Sequence, residues 1–230
     1  MKSFFLFLIL VGGLPVFGES PICPESHCSL VDPTLNSVCV GAGFAGRGFP
    51  VVRVNMPMCY CPCSCVVEGT YFQLSNLEWK QTNYLQQIKS LINPITGLSS
   101  ENYEPTRSYV EEYWVSRIDF DDNSSIAVSE NHTFVTPDER VVSAKDLQRG
   151  DQILSSLGAP VAIGAISREL YKGFLYNVII NSGSKNSIDH IVSTNGVMSG
   201  DLLLQSAKDF VESGIYLRTT PIPTFEGEQK

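Results

Sequence analysis

The seven cysteines of this chain all lie within its first 65 residues, and residues 66–230 contain none. Six cysteines can close three disulfides, which leaves one thiol over, and we expect that thiol to be Cys65. A segment this short cannot bury much core, so cross-links have to hold it together. The disulfide candidates, whose connectivity the sequence leaves open, are Cys23, Cys28, Cys39, Cys59, Cys61 and Cys63.

The first 18 residues have the pattern of a secretory signal peptide. Lys2 supplies a basic start, residues 4–11 are apolar, and Val16 and Gly18 are small enough to precede a cleavage site. The apolar stretch is too short to span a bilayer. We therefore expect a secreted, extracellular protein, in a compartment where disulfides can form.

Charge and composition limit the function classes. The net charge of −8 and the isoelectric point near 4.9 argue against nucleic acid or an anionic membrane surface as the main partner. No later segment is long and apolar enough to predict a membrane span. Hydrophobic residues make up 43% of the chain and charged residues 17%, which suits a β-rich globular core.

Short strand-like runs dominate the sequence after Cys65, and helix signals are sparse. Asp121-Asp122-Asn123 and Asn195-Gly196 predict tight turns between strands. The best helix candidates are residues 83–91 and 201–213. The predicted class is all-β with a short C-terminal helix. The predicted strands are Tyr109–Phe120, Ser125–Ser129, Gly173–Asn181 and Ile191–Thr194.

Three separated blocks carry residues that are suited to chemistry. The first is the run Cys65-Val66-Val67-Glu68-Gly69-Thr70. The second is Val128–Phe134, which contains a Ser-x-x-His pattern and is followed by an Ala-x-x-Leu-x-x-Gly-Asp pattern within Ser143–Asp151. The third combines Leu175–Val178 with His190–Ser199. In their order and separation the blocks resemble those of Hint domains, the module shared by hedgehog autoprocessing domains and inteins.

The resemblance covers about residues 65–201 and implies a compact β fold of two related long hairpins, with a pseudo-twofold relation between them. The family's inteins end in His-Asn, whereas Gly200 and Asp201 hold those places here. A chain without the terminal Asn is closer to the hedgehog type, in which only the first cleavage occurs. The resulting organisation is a signal peptide (1–18), a cysteine-rich segment (19–64), a Hint-like autoprocessing domain (65–205) and a tail (206–230).

The resemblance also implies roles for individual residues. Cys65 is the nucleophile that attacks the carbonyl of Ser64, and the chain is cut at Ser64–Cys65 through a thioester. His132 is the acid–base group, because an imidazole can move a proton near neutral pH. Ser129 stands in the family's Thr position, where its hydroxyl holds the scissile amide.

Two further features support the blocks. Gly69 and Thr70 match the Gly-Thr of the opening block, and His190 lies near the closing-block histidine that assists the second cleavage in inteins. For His190 a place in the catalytic groove and a structural role stay equally open. The activity implied is a single-turnover, cysteine-dependent autocatalytic cleavage, a protease reaction on the chain's own N-terminal segment, without metal or cofactor.

The nucleophile that resolves the thioester stays open between water, a thiol and a sterol hydroxyl, which would modify the released fragment with lipid. Two rival functions also remain. One is a secreted cysteine-rich binding protein on an inactive Hint scaffold, which pairing of Cys65 in a disulfide would favour. The other is a metal-binding module that uses the alternating cysteines of residues 59–65.

Overall fold

The computed structural model describes residues 65–100, 102–107, 111–208 and 214–221, together with the backbone of residues 49–53 and 56–60. The expected signal peptide, Ser64 and the side chains of the six disulfide candidates lie outside this description. Strands β1 (Phe49–Arg53) and β2 (Met56–Tyr60) pair with each other in an antiparallel hairpin.

Fourteen further strands of the described chain form two antiparallel sheets of seven strands each. In chain order they are β3 (Val66–Val67), β4 (Tyr71–Gln73), β5 (Trp79–Gln81), β6 (Glu104–Arg107), β7 (Glu111–Phe120), β8 (Ser125–Ser129), β9 (Thr133–Val135), β10 (Arg140–Ser143), β11 (Gln152–Leu154), β12 (Pro160–Gly173), β13 (Leu175–Ile179), β14 (Ile191–Thr194), β15 (Val197–Gly200) and β16 (Ile215–Tyr216). Sheet I has the order β11-β12-β7-β8-β3-β13-β6, and sheet II the order β16-β10-β9-β15-β14-β4-β5.

The all-β prediction is confirmed, and the strands predicted at Ser125–Ser129 and Ile191–Thr194 have the predicted bounds. The strand predicted over 173–181 is shorter, at Leu175–Ile179. The strand predicted over 109–120 is observed from Glu111, and residues 108–110 are outside the description.

The two helix predictions have different outcomes. The segment predicted as a helix over 83–91 forms a 3₁₀ helix at Thr82–Gln87, and Leu91 bridges to Leu74 in extended backbone. Of the helix predicted over 201–213, the structure describes α1 (Leu202–Lys208), which begins one residue after Asp201; residues 209–213 lie outside the description. Asp201 caps this helix, because its carboxylate accepts the backbone N–H of Leu204 at 2.9 Å. Two further 3₁₀ turns lie at Ala144–Asp146 and Ser187–His190.

The Asn195-Gly196 turn is confirmed between β14 and β15. Both residues have positive φ, 44° and 85°, which a tight hairpin of this kind requires. The Asn195 side chain also joins the sheets. Its Oδ1 accepts the N–H of Tyr71 in β4 at 2.7 Å, and its Nδ2 donates to the carbonyl of Ser125 in β8 at 3.0 Å.

The core lies between the two sheets. Val66 and Val128 of sheet I and Phe72 and Phe134 of sheet II are completely or almost completely buried in one cluster. Val66 pairs with Val128 across β3 and β8, so the residues next to them, Cys65 among them, sit at the edge of this core. The described residues include no helix that is long and apolar enough to cross a membrane.

The end of the described chain belongs to the same fold. Strand β16 pairs with β10 through Tyr216 and Ile215, and Pro221 bridges to Asn186. Ile215 and Leu217 are buried in a second cluster with residues of sheet II and α1. Part of the expected tail is therefore built into sheet II.

Candidate active site

The backbone of Cys65 is hydrogen-bonded to Ser129 through both its N–H and its carbonyl. The antiparallel pairing of β3 and β8 brings Cys65 opposite the end of β8. The N–H of Cys65 donates to Ser129 Oγ at 2.7 Å, and the N–H of Ser129 donates to the carbonyl of Cys65 at 2.8 Å. The amide nitrogen held by the hydroxyl is the nitrogen of the Ser64–Cys65 bond.

The side chain of Cys65 is covered, with 1% of its surface exposed. It packs in a small cluster with Tyr113 and Val115 of β7 and Leu175 of β13. These side chains form an apolar wall around the thiol. Such a wall limits the access of water to the thiol.

His132 follows Ser129 in a tight turn, in which the His132 N–H donates to the Ser129 carbonyl at 3.0 Å. Its own carbonyl accepts the N–H of Ala144 at 2.8 Å. The ring meets Phe134 edge to face, with the centroids 5.2 Å apart. Complete burial lowers the pKa of His132 to about 3, because removal from water penalises the charged form. The ring is therefore neutral at neutral pH.

The polar partner of the His132 ring is Gln205 of α1, whose Nε2 lies 3.2 Å from His132 Nδ1. Gln205 Nε2 also donates to the carbonyl of Gly200 at 2.5 Å, and its Oε1 accepts Asn177 Nδ2 at 2.9 Å. All of these side chains are buried. Within the described residues, His132 Nε2 is buried and has no hydrogen-bond partner.

Sequence reasoning missed Gln205 and Asn177. Asn177 lies in the closing block, but the sequence pattern assigned it no role of its own. Gln205 lies on a helix whose neighbours Leu202, Leu204 and Ala207 are buried. The sequence signal for Gln205 was a polar residue on the apolar face of the predicted helix. Such a residue indicates a buried hydrogen bond, because buried polar groups need partners.

His190 forms a separate buried pair with Asp201. His190 Nδ1 lies 2.9 Å from Asp201 Oδ2, and Nε2 lies 3.1 Å from the carbonyl of Ser184. Burial lowers the pKa of His190, but the charge of Asp201 and the hydrogen bonds to Asp201 and Ser184 raise it by more, so the net pKa lies above its ordinary value. Both ring nitrogens face acceptors, so the ring is held as a charged donor. This geometry favours the structural role for His190.

Gly69 and Thr70 form the turn that follows β3. Gly69 has a φ of +90°, which L side chains rarely adopt, and its N–H donates to Thr82 Oγ1 at 2.9 Å. The N–H of Thr82 in turn donates to the carbonyl of Thr70 at 2.8 Å. The pair therefore directs the chain from Cys65 in sheet I to β4 in sheet II.

No side chain fits at Gly200, one of the two places where inteins have His-Asn. A Cβ atom there would collide with Thr133 Oγ1 and approach Leu204 Cδ2 to 3.0 Å. The next residue, Asp201, is fully buried; Oδ2 accepts from Ile180 N–H at 3.0 Å as well as facing His190. Neither position resembles the intein ending chemically.

The described side chains include no cluster of three or more His, Cys, Asp or Glu residues that could hold a metal ion. The alternating cysteines of the metal-binding alternative lie outside that set, except for Cys65. The metal-binding hypothesis therefore stays a prediction.

No protein-family model and no curated protein matches the sequence. Among solved structures, the chain is similar to a bacterial intein-like domain from Clostridium thermocellum, with a TM-score of 0.47 and 18% identity over 60% of this chain and 98% of that one. The gp41-1 intein gives a TM-score of 0.47 at 14% identity, again over 60% and 98% of the two chains. A DnaB intein from Synechocystis sp. PCC 6803 gives 0.46 at 15% identity, with the same coverage. Because these TM-scores are below 0.5 and the identities are below 20%, the assignment of the candidate site rests on the hydrogen bonds and burial described above.

Proposed function

We propose that this chain is a secreted precursor in which residues 65–205 form a Hint-like domain that cuts its own backbone at Ser64–Cys65. The observation that carries the proposal is the double hydrogen bond between Cys65 and Ser129. A hydroxyl 2.7 Å from the amide nitrogen fixes the peptide group that has to be broken. It comes from the block that the sequence resemblance assigns to this task.

The proposed reaction is an N-to-S acyl shift. Sγ of Cys65 attacks the carbonyl carbon of Ser64, a C–S bond forms, and the C–N bond of the amide breaks. The thiol proton ends on the nitrogen of Cys65, which becomes a primary amine, so the step needs no external oxidant or reductant. Fixed placement of thiol and amide lowers the entropic part of the barrier, and the covered apolar surroundings of Cys65 limit competing water.

His132 supports the proposal as the polar group that completes the site. It follows Ser129 in one turn and is fully buried, and its Nε2 has no partner among the described residues. A buried ring nitrogen without a partner costs free energy in the resting protein. In this proposal that cost is recovered when charge develops near the ring in the transition state, which is how preorganised polar groups accelerate acyl transfer.

The products follow the hedgehog rather than the intein type in this proposal. The chain lacks the terminal Asn whose side chain would cyclise, so ligation of the flanking segments does not occur. A nucleophile resolves the thioester and releases residues 19–64 as the effector fragment. Water, a thiol or a sterol hydroxyl would each serve chemically, and a sterol would leave the fragment attached to a lipid.

The test is the intact mass of the purified precursor, incubated with and without a small thiol. We expect two fragments that meet at Ser64–Cys65, and faster breakage with thiol, since thiol resolves the thioester. Cys65→Ala should abolish cleavage, and His132→Ala should slow it by about 10²-fold or more. Ser129→Ala should slow it, whereas Ser129→Thr keeps the hydroxyl and should retain most of the rate.

The control variant is Ser124→Ala, in an exposed turn at the other end of β8, which should leave the rate unchanged. A wild-type precursor that stays whole with and without thiol would refute self-cleavage and favour the inactive scaffold. Cleavage that persists in Cys65→Ala would refute the assigned nucleophile. Stoichiometric zinc in an uncleaved protein would instead support the metal-binding alternative.

A further inference from the structure

Buried side-chain hydrogen bonds run from Asn177 through Gln205 to the His132 ring, and we call this series the relay. The direction of each of its hydrogen bonds can be derived in turn from the backbone. The relay begins beside Val178 of β13, whose backbone N–H lies 2.7 Å from Asn177 Oδ1. A backbone N–H can only donate, so this atom of Asn177 must be the oxygen. The other end of the amide, Nδ2, therefore faces Gln205 and donates to Oε1 at 2.9 Å.

The Gln205 amide is then fixed at both ends. Its Oε1 accepts from Asn177, so its Nε2 carries two hydrogens. One of them meets the carbonyl of Gly200 at 2.5 Å, and a carbonyl can only accept. The second lies toward His132 Nδ1 at 3.2 Å. Reversal of the amide would place an oxygen against the Gly200 carbonyl, which electrostatic repulsion opposes.

This orientation determines where the proton of His132 resides. Nδ1 accepts from Gln205, so its lone pair is occupied. A neutral imidazole carries one ring proton, and that proton must be on Nε2. Nε2 is buried, and the described residues offer it no acceptor. The ring thus presents a single N–H whose direction is held by α1 and β13.

We propose that Gln205 and Asn177 are positioning residues that hold His132 as the Nε2–H tautomer, so that His132 serves self-cleavage as a neutral hydrogen-bond donor. This deepens, and rests on, the proposed function. His132 keeps its Nε2 proton throughout, and stabilises charge that develops on the attacked peptide group. The proton that reaches the Cys65 nitrogen is the proton of the thiol. A base role is excluded as long as the relay is intact, because the one ring lone pair is occupied.

Helix α1 contributes to the candidate site because it carries Gln205. Gln205 lies 73 residues after His132, on the helix that Asp201 caps directly after β15. An intein chain would end at this point. Here the chain continues, and the first turns of the continuation supply the residue that orients the histidine.

The first test reads the tautomer directly. Two-bond ¹H–¹⁵N spectra of the Cys65→Ala precursor distinguish a protonated from an unprotonated ring nitrogen at each position. We expect His132 Nε2 protonated and Nδ1 unprotonated at pH 7. In Gln205→Met no group donates to Nδ1, so the ring should no longer be held in one form and a protonated Nδ1 should be populated. A protonated Nδ1 in the Cys65→Ala protein, or an unchanged pattern in Gln205→Met, would overturn the proposal.

The second test reads the rate of cleavage in the full precursor. Gln205→Glu and Gln205→Met should each slow cleavage by about 10- to 100-fold. Gln205→Met has similar length and no charge, so it serves if the carboxylate prevents folding. Gln86→Glu, on the exposed face of the 3₁₀ helix, is the matched control and should cleave at the wild-type rate. Wild-type rates in both Gln205 variants would overturn the positioning role.

The pH profile separates a neutral donor from a charged acid. A neutral Nε2–H donor gives a rate that does not fall as the pH rises through the ordinary histidine range, about 6 to 7. A rate that falls through that range would overturn the neutral role. If the wild-type precursor does not cleave at all, the proposed function fails, while the tautomer spectra still decide whether the relay holds His132.

Discussion

At the scale of single residues, the two buried histidines respond to their surroundings in opposite ways. Burial without a charged partner lowers the pKa of His132 to about 3 and keeps the ring neutral. Burial also opposes the charge on His190, but Asp201 and Ser184 together raise its pKa above the ordinary value. One residue type therefore serves as a neutral hydrogen-bonding group in one place and as a buried ion-pair partner in another.

The raised pKa of His190 predicts a loss of stability at alkaline pH. The folded state binds this proton more tightly than the unfolded state, whose histidine has a pKa of about 6.5. The stabilisation is therefore complete below about pH 6.5 and disappears as the pH rises through the folded pKa. Urea unfolding between pH 6 and 9 should show a free energy of unfolding that falls with pH in wild type.

His190→Gln is the matched variant for this measurement. It should be less stable at pH 6, and the wild-type minus variant difference should shrink as the pH rises. Other titrating groups are shared by the two proteins and cancel in that difference. A difference that stays constant from pH 6 to 9 would contradict a charged His190–Asp201 pair.

At the scale of elements, the junction between β15 and α1 determines how the site is closed. Gly200 ends β15 with its Cα against Thr133 and Leu204, and Asp201 then caps the helix. The close approach brings α1 near enough to β9 for Gln205 to reach His132. A residue with a side chain at position 200 would push the helix outward.

Gly200→Ala should therefore destabilise the fold by about 1–3 kcal/mol, the usual cost of overpacking. It should also weaken the contact between Gln205 and His132. Thermal or urea unfolding measures the first effect, and the ring nitrogen shifts of His132 measure the second. Gly183→Ala is the control, because a Cβ at Gly183 would meet no atom within 4 Å.

The cause of the Gly200→Ala effect can be isolated with Thr133→Ala, which removes the Oγ1 atom that a new Cβ would strike. In that background the cost of Gly200→Ala should be smaller, since the two changes are coupled through one contact. Equal costs in both backgrounds would show that the Gly200–Thr133 approach is not the reason for glycine at this position.

At the scale of the whole molecule, the chain after α1 returns to complete sheet II. Strand β16 covers the β10 edge, and Ile215 and Leu217 fill a cluster with Val135, Val141 and Leu204. Closing a sheet edge removes unpaired backbone groups that would otherwise invite association. The described tail is therefore part of the support for α1 and, through α1, for the candidate site.

Ile215→Ala should cost about 2–5 kcal/mol, because it leaves a cavity in this cluster. Tyr216→Ala, at the neighbouring and largely exposed position, should cost about 1 kcal/mol or less. Urea unfolding of both variants makes the comparison. Equal costs for the two would mean that the tail is not packed as an integral part of sheet II.

The elements that sequence predicted best are those determined locally. Ser125–Ser129 and Ile191–Thr194 have strand-forming residues between strong turn signals, and Asn195-Gly196 takes the positive φ angles that such a pair favours. Residues 83–91 failed as one helix, because pairing of Leu91 with Leu74 extended the second half of the segment. There the tertiary contact outweighed the local helix signal.

The sequence by itself determined the all-β class and the turns, because these follow from residue type and short spacing. The division of the chain at Cys65 and the set Cys65, Ser129 and His132 came from the resemblance to Hint blocks, and they stay predictions. The tertiary structure decided which groups surround them. It joined Gln205 to His132 across 73 residues and paired His190 with Asp201, and with that it shifted the pKa values of the two rings in opposite directions. Burial and hydrogen-bond direction exist only once the sheets and α1 are packed, so no local pattern could contain them.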